Sequence, residues 1–394
     1  MKRITVGLIG SGYAAELHCR GYRSISGVEV LLKSIVDLDI EKAKRGMKKF
    51  GFQNAFGDYQ EILRDPEIDI VDICTPPESH LRIAREALAA DKHVICEKPL
   101  TGYFMGGESG QTTGACSKRK MYHFVLKEMG AFQSVVDSST KKFMYAENIL
   151  YSPALLKAAE MIVSKKSRIL FMQGEESLKG SSSPVAGLWE KTGGGSLIRI
   201  GSHPIGGILW LKKIQALARN ESIGIESVVA DTGQILNTLE SEEKKYFSAC
   251  PVDVEDIATL TITFTDKTKA QITAADIFLG GTRNYINIYT NDSSFKCNLT
   301  PTDQLETYFL DETRIEDIEI AEMLPTKIGW NKAFVSDEVI RGYTNQFQDF
   351  INAVVEDVEA VSNFEMARDI TKVIYAAYIS SEEGRRIYME DISQ

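Results

Sequence analysis

Two residues combine a titratable head group with surroundings that could put it to use. Lys98 lies in Glu97-Lys98-Pro99, directly after the apolar run 93–96. His203 lies in Gly201-Ser202-His203-Pro204, shortly after Gly193-Gly194-Gly195. A lysine at the buried end of a strand can hold a substrate hydroxyl and offset the negative charge that grows on its oxygen as a hydride departs. A histidine in the first turn of a helix, followed by a proline where no N–H is needed, meets the positive end of the helix dipole. That field disfavours imidazolium and predicts a neutral base near neutral pH. The alternatives are an ordinary Glu-Lys surface ion pair and a histidine that caps its helix.

A third constellation is suited to receiving a ligand. Gly10-Ser11-Gly12-Tyr13-Ala14-Ala15 reads G-x-G-x-x-A where a strand should hand over to a helix. Gly10 allows the tight turn, Gly12 lets backbone N–H groups approach a pyrophosphate, and Ala15 lets helix and strand pack closely. Asp37 ends the next apolar run about 20 residues on, where a carboxylate accepts hydrogen bonds from the adenosine ribose. A 2′-phosphate would meet that charge, so NAD is expected in preference to NADP. The alternative is a glycine turn in an unrelated α/β protein with a solvated Asp37. Cys74-Thr75-Pro76-Pro77 ends a further run, so Thr75, Pro76, Glu97 and Lys98 should open on the same crevice. His80, just beyond, reads as packing or cofactor support rather than catalysis.

Elements must hold these groups in place. Apolar runs at 3–9 and 28–37 flank a helical pattern at 13–22, which makes a βαβ unit. Helices at 41–50, 59–63 and 78–90 alternate with strands at 68–74 and 93–96, and right-handed crossovers then require a doubly wound parallel sheet. The Gly, Ser and Thr of 101–120 predict a loop or lid that buries little. A helix at 122–136 and a strand at 142–147 close a dinucleotide-binding domain, 1–148. A substrate-binding and oligomerisation domain, 149–394, follows. There, a helix after Pro153, a strand at 168–173 and a helix from His203 precede antiparallel strands at 258–264, 272–275 and 286–289. One sheet face is apolar. The other carries uncharged Thr, Gln, Asn and Tyr, as either a subunit contact or a solvated surface. Amphipathic helices at 343–355 and 366–378 should return to the junction of the domains.

Composition narrows the class of function. Of 394 residues, 43% are hydrophobic and 25% charged, which suits a folded soluble protein and not a disordered or fibrous one. Forty-five Lys and Arg against 55 Asp and Glu leave a net charge of −10, with no field to hold nucleic acid or an anionic membrane. No apolar run approaches the roughly 20 residues of a bilayer span, and no signal peptide is visible. Six cysteines without a C-x-x-C pair read as reduced thiols, so a cytoplasmic protein is expected.

Taken in order, G-x-G-x-x-A, Asp37, C-T-P-P, E-K-P, a tryptophan, G-G-G and G-x-H resemble the Gfo/Idh/MocA oxidoreductase family over nearly the whole chain. The resemblance implies a Rossmann domain followed by an α/β domain with an open, mostly antiparallel sheet. It further implies NAD(P)-linked oxidation or reduction of sugars and cyclitols, dimers or tetramers, and Lys98 and His203 as the catalytic pair. Many members carry Asp four residues before and three residues after that histidine, where this chain has Arg199 and Gly206. Those acids cannot relay a proton here. Tyr145-Ala146-Glu147-Asn148 with Tyr151, Gly174-Glu175-Glu176-Ser177 and the stretch from Leu197 to Pro204 look like a subgroup acting on glycosides, including enzymes that oxidise the sugar 3-hydroxyl. Its members often carry histidines where Leu178 and Ser182 stand, so no metal is assigned to Glu147 with His203. Glu147, Tyr151, Trp189 and Arg199 join Lys98 and His203 as expected substrate-side residues. The rival reading is a non-catalytic dinucleotide sensor of the same fold. Arg199 and Gly206 favour it, and retention of Lys98 with His203 opposes it.

Overall fold

A strand covered on both faces must be largely apolar, and β1 (Lys2–Ile9) is buried from Ile4 onward. The computed structural model describes residues 2–107, 111–302, 305–318, 320–321, 324 and 326–392. After β1 come α1 (Tyr13–Arg23), β2 (Val28–Val36), α2 (Ile40–Phe50), β3 (Asn54–Phe56), α3 (Gln60–Arg64) and β4 (Ile70–Ile73). Then follow α4 (His80–Ala89), β5 (His93–Glu97), α5 (Lys118–Ser138) and β6 (Phe143–Ala146). The strands form one sheet in the order β3-β2-β1-β4-β5-β6, every pair parallel. The order reverses between β1 and β4, so a crevice opens beyond their carboxyl ends. Local chemistry agrees with the elements: Asp39 caps α2 through the Glu41 and Lys42 N–H groups, and Gly51 ends it at φ +87°.

One buried cluster locks α1 onto this sheet. His18 Nδ1 lies 2.9 Å from Asp72 Oδ1, and its Nε2 lies 3.0 Å from Glu97 Oε1. The Tyr22 hydroxyl donates to Asp72 at 2.9 Å. Carboxylates only accept, so both ring nitrogens donate and the ring carries a proton. Burial opposes that charge, yet Asp72 and its neighbours hold the His18 pKa well above the ordinary range. His18, Asp72 and Cys74 are also the one set among the described residues with ligand atoms as close as a metal site needs. Their hydrogen bonds to one another already account for that closeness.

The second half contains α6 (Pro153–Lys165), β7 (Ile169–Ser177), α7 (Trp189–Thr192), α8 (Ser196–Arg199), α9 (Ser202–Arg219), β8 (Ile225–Gly233) and α10 (Ser241–Lys244). Strands β9 (Ile257–Phe264), β10 (Lys269–Ala275), β11 (Arg283–Thr290) and β12 (Ser294–Asn298) lead to a hairpin of β13 (Leu305–Phe309) and β14 (Gly329–Ala333). The chain closes with α11 (Asp337–Ile340), α12 (Tyr343–Glu356), α13 (Phe364–Glu383) and β15 (Ile387–Tyr388). The sheet order is β12-β11-β7-β10-β9-β8-β15, antiparallel throughout except for β7 with β10. Helices α6, α9 and α13 pack on one face, and α12 and α13 reach back to α1 and α5. On the other face, Gln173, Gln271, Thr261 and Asn287 stand partly or fully exposed. Among the described residues, no helix is long and apolar enough to cross a membrane.

Two expectations need correction. Strand β7 runs past the expected end at 173 to Ser177, with Glu175 and Glu176 buried and partnered. The segment 101–120 is the expected loop over its described residues up to Ser117, with Met105 exposed, but it buries more than expected. Thr101 and Tyr103 are buried, and the Tyr103 N–H donates to the Tyr375 hydroxyl at 2.7 Å. Thr113 and Cys116 are buried too, and α5 already begins at Lys118; residues 108–110 lie outside the described ones. Replacing one member of a buried ion cluster leaves uncompensated charge, at a cost of about 3–5 kcal/mol. His18→Leu, measured by urea unfolding, should lose stability on that scale, whereas a loss below about 1 kcal/mol would show that Asp72 and Glu97 are not held by the ring.

Candidate active site

Lys98 stands one residue past β5 at the crevice. Its backbone N–H donates to Glu97 Oε2 at 2.8 Å, and Glu97 is itself fixed by His18. The ammonium donates across to the Arg199 carbonyl at 2.5 Å, at the C-terminal end of α8. That carbonyl is held in turn from the other end of α8. The Glu255 carboxylate accepts from the Gly195 and Leu197 N–H groups, both at 2.9 Å, and from the Tyr378 hydroxyl. Burial raises the Glu255 pKa to about 7. A Cβ on Gly195 would stand 1.9 Å from the Glu255 carbonyl oxygen, so the glycine run lets the chain close over this cap.

His203 occupies the first turn of α9, as the Ser-His-Pro pattern implies. Its Nδ1 donates to Glu147 Oε1 at 2.5 Å, which leaves Nε2 as the basic nitrogen. Glu147 follows β6 and is fully buried. Burial lowers the His203 pKa, but Glu147 and then Glu176 outweigh it, and the pKa stands above its ordinary 6.5. The expectation that the helix end keeps this ring neutral is therefore corrected: a carboxylate in direct contact outweighs the diffuse charge of a helix terminus. Gly206 has a role here. A Cβ at that position would lie 3.0 Å from the Glu147 Cγ, so the glycine leaves the volume that Glu147 fills.

On the cofactor side, Gly10 takes φ +96°, and a Cβ there would stand 2.4 Å from the Cys74 carbonyl oxygen. Gly12, at φ −83°, has no atom within 4 Å of where its Cβ would stand. The open space lies at the N-terminus of α1, where backbone N–H groups favour an anion. Asp37 Oδ2 accepts from the Ser11 N–H at 3.1 Å and from the Ser11 hydroxyl at 2.7 Å. Partial burial works against its ionisation, but these bonds and that from Asp39 hold its pKa below the usual carboxylate value. Thr75 binds the Ser79 hydroxyl at 2.7 Å. His80 joins the two Pro-bearing turns, with Nε2 2.8 Å from the Thr75 carbonyl and Nδ1 2.9 Å from that of Pro99. Burial lowers its pKa, while the two carbonyls, which can only accept, each favour a ring nitrogen that carries a proton. These residues fit a dinucleotide: a glycine cradle, a helix end and a carboxylate at the neighbouring strand end.

One crevice of about 370 Å³ lies between the first turn of α1 and the second half of the chain, within the roughly 300–1,000 Å³ of small-molecule sites. Tyr13, Ala14, Pro77, Glu97 and Lys98 line it from the first half, and Arg199, His203, Glu176, Asn284, Phe334, Arg341 and Tyr343 from the second half. Not every expected wall residue is there. Tyr151 is buried elsewhere, its hydroxyl donating to Asp349 at 2.7 Å and accepting from the Ser362 N–H. Trp189 is buried against Tyr378 and Lys118 and lines a different concavity. Glu147 sits behind His203 rather than in the wall. The Arg199 guanidinium pairs with Asp276 at 2.5 Å, so its carbonyl, not its side chain, touches Lys98. Glu176, Thr282, Asn284, Phe334, Arg341 and Tyr343 went unforeseen. They come from strand β7, from β11 and the residue before it, and from a segment beyond the hairpin, and no local spacing in the sequence marks them.

Comparison with known proteins agrees with this geometry. The family profile described as oxidoreductase family, NAD-binding Rossmann fold, matches residues 4–115, and its C-terminal alpha/beta domain profile matches 180–389. Levoglucosan dehydrogenase of Pseudarthrobacter phenanthrenivorans is 28% identical over 326 residues, covering 78% of this chain and 77% of that protein. The crystal structure of GenD2 from gentamicin A biosynthesis, in complex with NAD, superposes with a TM-score of 0.77 at 19% identity, covering 98% of this chain and 97% of that one. A levoglucosan dehydrogenase bound to NADH and levoglucosan superposes with a TM-score of 0.72 at 21% identity, covering both chains fully. With both domain profiles matched and the dinucleotide cradle and Lys98–His203 crevice in place, the chain belongs to the Gfo/Idh/MocA family of NAD-binding oxidoreductases.

Proposed function

We propose that the protein oxidises a secondary hydroxyl of a pyranose or glycoside, the ring 3-hydroxyl, with NAD as hydride acceptor. The observation that carries this reading is that Lys98 and His203 line one crevice with Tyr13 and Ala14 of the first turn of α1, the helix whose N-terminus the glycine cradle precedes, with His203 backed by a buried carboxylate. His203 Nε2 takes the hydroxyl proton, and Glu147 stabilises the imidazolium that results. The Lys98 ammonium orients the oxygen and offsets its growing negative charge. Bound nicotinamide supplies the electrophilic carbon that accepts the hydride. Asn284 Oδ1 and Thr282 Oγ1 are buried without a partner in the wall, so they offer hydrogen-bonding positions to sugar hydroxyls. Phe334 and Tyr343 give aromatic surface of the kind that packs on sugar C–H groups. The levoglucosan and inositol dehydrogenases among the relatives support a sugar or cyclitol alcohol. The choice of the 3-position rests on the likeness of the 145–151 and 174–177 stretches to glycoside 3-dehydrogenases. Asp37 opposes a 2′-phosphate and favours NAD over NADP.

The sensor reading drew on Arg199 and Gly206. Arg199 has its own acid in Asp276, and Gly206 makes room for Glu147, so neither departure empties the site of acid–base groups.

Two measurements check the reading. Gly12→Val adds a side chain only to the open space over α1, so the melting temperature should hold while NAD affinity, by calorimetry, falls about tenfold or more; unchanged affinity would place the dinucleotide elsewhere. The second follows NADH absorbance and keto-sugar formation with a panel of glycosides as pH varies. Oxidation requires unprotonated His203, so kcat/KM should rise with pH through a midpoint above 6.5. Glu147→Gln removes the larger of the two carboxylate effects that hold that midpoint up and leaves Glu176 alone against burial. The midpoint should therefore move to lower pH, and His203→Ala should lose about 10²–10⁴-fold in kcat. A panel that forms neither NADH nor keto-sugar would overturn the dehydrogenase reading.

A further inference from the structure

Oxidation of one hydroxyl needs one base, and the crevice contains a second. Along β7 the side chains alternate. Glu175 bonds the Tyr285 hydroxyl at 3.0 Å and the Ser177 hydroxyl at 2.6 Å, while Glu176 lines the crevice with Lys98 and His203. Glu176 is 8% exposed. Its Oε2 accepts from Asn284 Nδ2 at 2.7 Å, across the β7–β11 register that pairs the two residues. The neighbouring cations are engaged elsewhere: Arg199 with Asp276, Arg341 with Asp337, and the Lys98 ammonium with the Arg199 carbonyl. No ion pair reaches Glu176 among the described residues. Burial raises its pKa, and His203 and Lys98 offset this only in part. A buried carboxyl of this kind, lining a crevice, has the properties of a general base rather than of a structural ion.

His203 cannot do this group's work in the same turnover. Once it has taken the hydroxyl proton it is an imidazolium and holds no lone pair for another. The ketone that hydride removal leaves behind makes the hydrogens on its flanking carbons acidic.

We propose that Glu176 is a second acid–base group, one that removes and returns a proton on a carbon flanking the new carbonyl. This rests on the dehydrogenase reading and adds an activity to it, α-carbon proton exchange in the bound keto-sugar. The proton passes to the Glu176 carboxylate. The C–H electron pair becomes the C=C bond of an enolate, and the carbonyl π pair moves to oxygen, where the Lys98 ammonium faces it. Return of a proton from Glu176 restores the ketone. No electrons leave the sugar in this step and no co-reactant is consumed. A proton that exchanges with water while on Glu176 leaves its isotope in the product.

The test runs the full chain with NAD and an oxidisable methyl glycoside in D₂O. Hydride transfer is read from NADH absorbance and deuterium at the flanking carbons by NMR of the keto product. The wild type should place deuterium at one flanking carbon about tenfold or more faster than buffer alone. Glu176→Gln should lower the ratio of deuterium incorporated to hydride transferred by about tenfold or more, and Glu176→Asp should restore part of it. Hydride transfer without deuterium above the buffer rate would overturn the proposal. So would a Glu176→Gln variant that loses both signals in equal proportion, which would make the residue a hydroxyl-binding group. A complete absence of NADH would fail the dehydrogenase reading instead, so the two failures are told apart.

Discussion

The site exists only while two sheets are held in one relative position. Lys98 leaves the first sheet at β5, and its ammonium ends on the Arg199 carbonyl of α8. Glu147 follows the last strand of that sheet, and its carboxylate ends on His203 of α9. Two charge-assisted hydrogen bonds thus cross the same seam, and both involve groups that would act on substrate or directly support one that does. Opening the seam would leave Glu147 buried beside no cation and Lys98 without an acceptor. Helices α12 and α13 return from the second half to pack on α1 and α5, which keeps the seam closed by apolar contact. The network is continuous on each side: Asp72, His18 and Glu97 behind Lys98, and Glu255 with Tyr378 beneath α8.

This arrangement explains two departures from the family's pattern in physical terms. Where many relatives have an acid one turn after the histidine, this chain has a glycine, and a carboxylate from another element takes up the volume. The change exchanges an acid on the same helix for one that lies across the seam. The histidine pKa then depends on how the two halves sit together, not only on its own helix. Arg199 similarly substitutes for an acid but arrives with its own partner, Asp276, so the wall gains no unpaired charge.

The fold was largely legible because its signals are local. The G-x-G-x-x-A turn, apolar runs bounded by turn residues and the Ser-His-Pro helix start each depend on a few adjacent residues. The second sheet was harder to read. Strands β8, β12 and the β13–β14 hairpin lack strong alternation, and β7 extends past 173 where Asn284 and Tyr285 supply partners from about a hundred residues away. For the site, Lys98 and His203 stood out through their motifs. Tyr151 and Trp189 were misplaced because an aromatic residue near a motif looks the same in sequence whether it faces a ligand or the core. Glu176 was marked only as part of the 174–177 stretch and Asn284 not at all, since a carboxylate becomes functional through burial and partners that only the folded chain provides.

The account stands on hydride leaving a sugar carbon that is flanked by Lys98 and His203. The direct measurement uses a glycoside carrying deuterium at the ring 3-carbon, incubated with the enzyme and NAD, with the reduced cofactor examined by mass spectrometry and NMR. The account predicts deuterium at C4 of the nicotinamide, one per keto-sugar formed. Reduced cofactor without the label, formed while the 3-deuterated carbon stays intact, would contradict it.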